Sequence, residues 1–154
     1  MFGNSGNKKY LCGDIFLKDN KSIINRLANE EGEHMEYLRI IAQLIIGLGI
    51  LNVWLLRFNK ATAYRAGNAK NMKEEFSAYG LPLWFMWVVG GLKILFALAL
   101  LGGLWQPQLV RPAAIGMAIL MIGAIGMHIK VADPLKKATP ASIVLLLSLF
   151  VALS

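Results

Sequence analysis

Residues 83–105 read LWFMWVVGGLKILFALALLGGLW, 23 positions carrying one charge, Lys93, near the centre. As a helix rising about 1.5 Å per residue, the run is long enough to cross a hydrocarbon layer roughly 30 Å thick. Three further apolar stretches flank it. Tyr37–Leu56 (YLRIIAQLIIGLGILNVWLL) has 20 residues and one charge, Arg39; Ala113–Ile129 has 17 and no formal charge, with His128 near its end. Ala141–Leu153 has 13 and no charge. This last stretch is short for a span, but Asp133-Pro134 and Thr139-Pro140 each resemble an N-cap followed by proline at the first helical position. A start at Pro134 gives 20 residues, with Lys136 and Lys137 snorkelling to the interface and Pro140 kinking the helix. A start at Pro140 gives a helix that only partly crosses. The expectation is an all-α, integral membrane four-helix bundle.

Composition agrees. Of 154 residues, 56% are hydrophobic and only 16% charged, with a mean hydropathy of +0.54. Soluble domains carry about 25% charged residues, so this chain has too few to cover a water-facing globule. Alternating strand patterns are absent, which argues against a membrane β-barrel. With Cys12 as the only cysteine, a disulfide scaffold is excluded, as is dithiol exchange within one chain.

Charge divides the chain into two parts. Residues 1–36 hold five Lys/Arg and six acids, net −1; residues 37–154 hold eleven and three, net +8. The first part reads as a polar N-terminal tail. In it Ser22–Glu33 is expected to form a short amphipathic helix on the membrane surface, with Ile23, Ile24 and Leu27 on one side. The patch Tyr10–Leu17, interrupted by Asp14, is too short and polar for a signal-peptide core. The second part, 37–154, reads as the four-span domain. Its basic residues lie between apolar runs, so the pI of about 9.7 points to loops flanking spans rather than to nucleic acid.

Four spans put the 57–82 and 130–140 loops on one face, and the termini with the 106–112 turn on the other. Eight Lys/Arg flank the first face; Lys21, Arg26, Arg39 and Arg111 flank the second. The positive-inside rule then predicts cytoplasmic 57–82 and 130–140 loops and external termini.

Few residues carry chemistry. Lys93 lies about 15 Å into its span, where an ammonium must pair, deprotonate or bind something. His128, Lys130 and Asp133 cluster at the end of the third span. His34 and His128 are the only histidines, so no metal-ligand spacing exists and no metal site is expected. In the 57–82 loop a helix over Ala69–Ala78, ending at Gly80 before Pro82, is expected to carry Glu75 and Tyr79 on one face. Gly90-Gly91, Gly102-Gly103, Gly116, Gly123 and Gly126 read as packing glycines, and Met117, Met121 and Met127 as lipid-facing or gap-filling. No nucleophile elbow, P-loop or dinucleotide fingerprint is present.

The runs NAKNMKEEFSAYGLPLWFMWVVGGLKIL (68–95) and LLGGLWQPQLVRPAAIGMAILMIGAIGMHIKVADPLKKATPA (100–141) resemble the DoxX-like family of small four-span membrane proteins. The resemblance rests on the Arg/Gly/Asn loop, the Tyr-Gly-Leu-Pro entry, a mid-span Lys after paired glycines, and the His-x-Lys-x-x-Asp-Pro exit. Ala66 stands where the family often has Gly. Residues 1–36 lie outside the resemblance. Relatives include a subunit of a thiosulfate:quinone oxidoreductase and proteins linked to redox-stress complexes, while most members have no assigned reaction. The residues leave the cofactor unknown, quinone enters by family analogy alone without a supporting motif, and the resemblance implies a membrane or redox protein as a partner.

Three roles stand after this reading. The favoured one is an accessory or lipophile-binding subunit of the bacterial cytoplasmic (inner) membrane, its polar pocket built from Asn52, Glu75, Tyr79, Lys93, His128 and Asp133. The alternatives are a quinone-linked oxidoreductase subunit whose redox centre lies on a partner, and a purely structural assembly factor. Nothing in the residues assigns a reaction.

Overall fold

The computed structural model describes residues 6–154, with side chains from Asn20 onward apart from Ser22. It contains α1 (Gly6–Leu51), continued by one π-helical turn (Asn52–Leu56), then α2 (Met72–Ala78), α3 (Leu83–Gly102), a 3₁₀ turn (Pro107–Leu109), α4 (Val110–Lys130) and α5 (Leu135–Leu153). No strand occurs among the described residues. Among the described residues four helical stretches are long and apolar enough to cross a membrane: Ile23–Leu56, Leu83–Gly102, Pro107–Lys130 and Leu135–Leu153.

The chain divides between Leu38 and Arg39 into two compact units. In the first, the segment expected as a separate short helix at Ser22–Glu33 is instead continuous helix within α1. No Gly or Pro interrupts residues 33–46, so nothing stops the helix before the first span. Ile23, Ile24 and Leu27 are exposed, and Tyr37 donates to Glu33 at 3.2 Å, one turn away. The side chains of Tyr10–Leu17, Cys12 included, lie outside the described ones.

In the second unit, Ile46, Met86, Leu100 and Met117 form the fully buried centre. The glycines expected to pack do so selectively. A Cβ at Gly90 would occupy the Trp54 ring, at Gly103 the Val110 side chain, and at Gly116 the Phe96 ring. At Gly91, Gly102, Gly123 and Gly126 it would meet nothing within 4 Å, so of the three α4 glycines only Gly116 closes on a neighbour. Met117 and Met121 fill gaps in the core.

Three helix ends differ from expectation. The loop helix begins at Met72 rather than Ala69, because the Asn71 side chain accepts from the Glu74 amide at 2.9 Å and caps it there. The second span stops at Gly102, with Gly103 as its C-cap. For the fourth span, Pro134 rather than Asp133 is the N-cap residue, and the helix then runs through Pro140 to Leu153. Asp133 does not cap because its carboxylate is committed elsewhere.

Candidate functional site

Two helix ends build the loop face of the second unit. α2 closes in a Schellman motif: the Leu81 amide donates to Phe76 O at 2.9 Å and the Gly80 amide to Ser77 O at 2.9 Å. Gly80 supplies the left-handed residue with φ 72°. α4 closes in the same way, with Asp133 N–H to His128 O and Ala132 N–H to Ile129 O, both at 3.0 Å. Here the left-handed position falls on Ala132, φ 53°, a residue whose Cβ disfavours it. The turn sets Asp133 beside the ring of the residue whose carbonyl it caps, five positions back.

The two ends face each other through a continuous hydrogen-bonded chain. Arg65 Nη1 donates to Glu75 Oε2 at 2.7 Å. Tyr79 Oη lies 3.2 Å from Glu75 Oε1 and 3.2 Å from His128 Nε2, and His128 Nδ1 lies 2.9 Å from Asp133 Oδ2. A carboxylate only accepts, so Nδ1 carries the proton of that last bond. Asp133 Oδ1 accepts from the Gly67 amide at 3.0 Å and from Lys137 Nζ at 3.2 Å, while Lys137 also donates to Gly67 O at 2.6 Å. These bonds tie the 57–82 loop to the turn between α4 and α5. Arg65 additionally donates to the loop carbonyls of Lys60, Arg57 and Phe58, at 2.9, 2.6 and 3.2 Å; Arg57 O and Phe58 O also accept the Lys60 and Met72 amides.

The electrostatics follow from this packing. Burial pushes the Tyr79 hydroxyl well above its usual range, and the charge and hydrogen bond of Glu75 and the field of Asp133 add to it against the opposing Arg65. Burial acts to raise Asp133 as well. There the Gly67 amide, His128 and Lys137 together outweigh it and hold the carboxyl below its ordinary value. Tyr79 has one proton and two acceptors in reach. It therefore donates either to Glu75, with His128 Nε2–H donating to it, or to His128 Nε2. Passing from the first state, in which both ring nitrogens are protonated, to the second carries the Nε2 proton to the Tyr79 oxygen and the Tyr79 proton to Glu75 Oε1.

Behind the chain lies a cavity of about 550 Å³, within the size range of small-molecule sites. Its walls are mainly apolar, with Trp54, Phe76, Phe85, Val89, Ile119 and Leu120 prominent. Of the six residues singled out from sequence, Asn52, Glu75, Tyr79, Lys93 and His128 line it. Asp133 stands behind His128. Lys93 Nζ lies 5.7 Å from the centre of the Trp54 ring, and no hydrogen bond or ion pair reaches it among the described residues. Asn52 opens the π-helical turn, whose widened geometry is marked by the Arg57 amide reaching back to Asn52 O at 2.9 Å. No cluster of three or more His, Cys, Asp or Glu able to hold a metal ion occurs among the described residues.

Sequence reasoning left two contributors out of the site. Arg65 was visible only as one loop cation among several, and its burial at 4% exposure depends on Glu75 ten residues on. Trp54 looked like any aromatic of an apolar span. The paired signal for it was Gly90, the small residue that makes room for its ring.

The DoxX-like family matches residues 41–152. Among curated proteins, YdgD of Bacillus subtilis (strain 168), described as uncharacterized, is 40% identical over 55 residues, or 36% of this chain. That match spans 48% of the length of YdgD. No solved structure matches.

Proposed function

The chain belongs to the DoxX-like family, and from that premise we propose that this integral membrane protein is a lipophile-binding subunit whose receptor site is the Lys93 cavity. The supporting observation is Lys93 itself. An ammonium at the centre of a span costs about 2.5–3.5 kcal/mol on insertion scales, and here it meets the face of Trp54 and the field of Glu75, with no hydrogen bond or ion pair among the described residues. A molecule with an apolar body and an oxygen acceptor would fill the aromatic and aliphatic walls and satisfy the lysine together. The Glu75–Tyr79–His128–Asp133 chain closes the loop end of the same cavity and supplies a route for a proton to or from the bound molecule.

The test is extraction of co-purifying small molecules from protein isolated in mild detergent, with mass spectrometry of wild type and Lys93→Met beside a thermal melt. Met keeps the length and the apolar stem. The expected result is an unchanged or higher melting temperature with the molecule lost. A collapsed melting temperature, or retention of the same molecule, would assign Lys93 a structural role.

We further propose that the 57–82 and 130–140 loops face the cytoplasm, supported by the eight basic residues flanking them. With Cys12 replaced, Lys70→Cys is expected to be shielded from impermeant thiol reagents in intact cells and Gln108→Cys labelled. The reverse pattern would invert the orientation.

A further inference from the structure

A charge census of the cavity identifies what kind of head group its occupant carries. The charged side chains lining it are Arg57, Arg65, Glu75, Lys93 and Lys137. Arg65 is committed to Glu75 and three carbonyls, and Lys137 to Asp133 and Gly67 O. Arg57 is exposed. Glu75 is the acid whose charge acts on Lys93, but its oxygens are already shared among Arg65, the Ala66 amide and Tyr79. One positive charge in the apolar part of the cavity, Lys93, is therefore left without an ion-pair partner in contact with it among the described residues. Asn52, an exposed residue of the π-helical turn, lines the same cavity, and no hydrogen bond occupies its side chain among the described residues.

A neutral carbonyl or hydroxyl would accept one proton of the ammonium and leave the charge itself uncompensated. A carboxylate satisfies both, accepting from Lys93 Nζ with its net charge cancelled and offering its second oxygen to the Asn52 amide. Charge matching also limits the head. A phosphate monoester carries about −1.5 to −2 near neutrality and would leave excess negative charge in the low-dielectric interior. The volume, about 550 Å³, suits one small apolar body of drug-like size rather than a two-chain lipid. Resting on the reading of this cavity as a lipophile site, we infer that its occupant is a single-tailed monocarboxylate amphiphile, its carboxylate at Lys93 and Asn52 and its tail among Phe85, Val89, Ile119 and Leu120.

The experiment compares two probes of equal chain length, decanoate and decan-1-ol. Each is radiolabelled and equilibrated by dialysis at pH 8 with the full-length protein in lipid nanodiscs, against empty discs. Wild type is expected to bind one decanoate per chain saturably, at least tenfold tighter than decanol. Lys93→Met should lose at least tenfold for decanoate while keeping decanol, which also reports an intact cavity, and Lys93→Arg should retain the preference. Equal binding of both probes by wild type would overturn the carboxylate assignment and leave the lipophile site standing. Loss of both probes in Lys93→Met would overturn the placement of the head at Lys93. Binding of neither probe above empty discs would overturn the lipophile site and this inference together.

Discussion

The loop end of the bundle and the middle of α3 both bury charge, and they treat it in opposite ways. At the loop end, Arg65, Glu75, Tyr79, His128 and Asp133 each have at least one partner, and Arg65 alone donates to four oxygens. In mid-span, Lys93 has a ring face and no hydrogen bond among the described residues. The difference comes from the supply of free backbone. Loops and helix ends release carbonyls and amides that no helix consumes, and the chain spends those of Arg57, Phe58, Lys60, Ala66 and Gly67 on its charged side chains. Within a span every backbone group is used by its own helix, so a buried cation there depends on side chains or on a ligand. Buried Gln43 Oε1 and Ser148 Oγ, both in spans, are likewise without hydrogen-bond partners among the described residues.

The largest expected effect breaks the satisfied region. Arg65→Met leaves Glu75 without its ion-pair partner and Lys60 O without its donor, so unfolding in detergent should become easier by about 3–5 kcal/mol, the usual cost of halving a buried ion pair. Lys93→Met should by contrast leave the protein within about 1 kcal/mol of wild type, or steadier, since an uncompensated charge goes. Similar losses for both would erase the distinction between the two regions.

Asp133→Asn comes next, with a cost of about 1–3 kcal/mol at pH 7 from mismatched partners at Gly67, His128 and Lys137. Because the folded carboxyl titrates below its ordinary value of 3.8, its contribution is complete above that pH. It is lost as the pH falls through the lower folded value. Wild type should therefore lose more stability on acidification below about pH 4 than Asp133→Asn does.

Tyr79→Phe should cost about 1 kcal/mol at pH 7 and show its signature on the alkaline side. The folded hydroxyl holds its proton beyond its ordinary value of 10.0. Its stabilisation is thus full below that pH and declines as the pH rises past it. Melting temperatures from pH 8 to 11 should fall more steeply for wild type than for the variant, and parallel curves would show that Tyr79 does not carry the alkaline response.

The smallest effect sharpens the joint between helix and site. Ala132→Gly relieves a left-handed alanine at the end of α4 and should stabilise the fold by about 0.5–1 kcal/mol. A thermal melt that stays level or falls would mean that the stiffness of Ala132 is needed to hold Asp133 on His128.

The sequence by itself determined the environment and the spans, because a lipid interior selects for apolar length and tolerates few charges. It also singled out Lys93 by the same logic, as the charge that a span excludes. Gly80 was legible as punctuation, whereas Asn71, read as interior to a helix over Ala69–Ala78, caps it and moves the start of α2 by three residues. Tertiary structure alone decided the rest. That Arg65 is buried, that Asp133 leaves the cap of α5 for Gly67, His128 and Lys137, and that Gly90 admits the Trp54 ring beneath Lys93 all depend on residues far apart in the chain. Hydropathy is a property of each residue in turn, whereas a hydrogen-bond partner or a ring's berth exists only once two distant segments are brought to within a few ångströms.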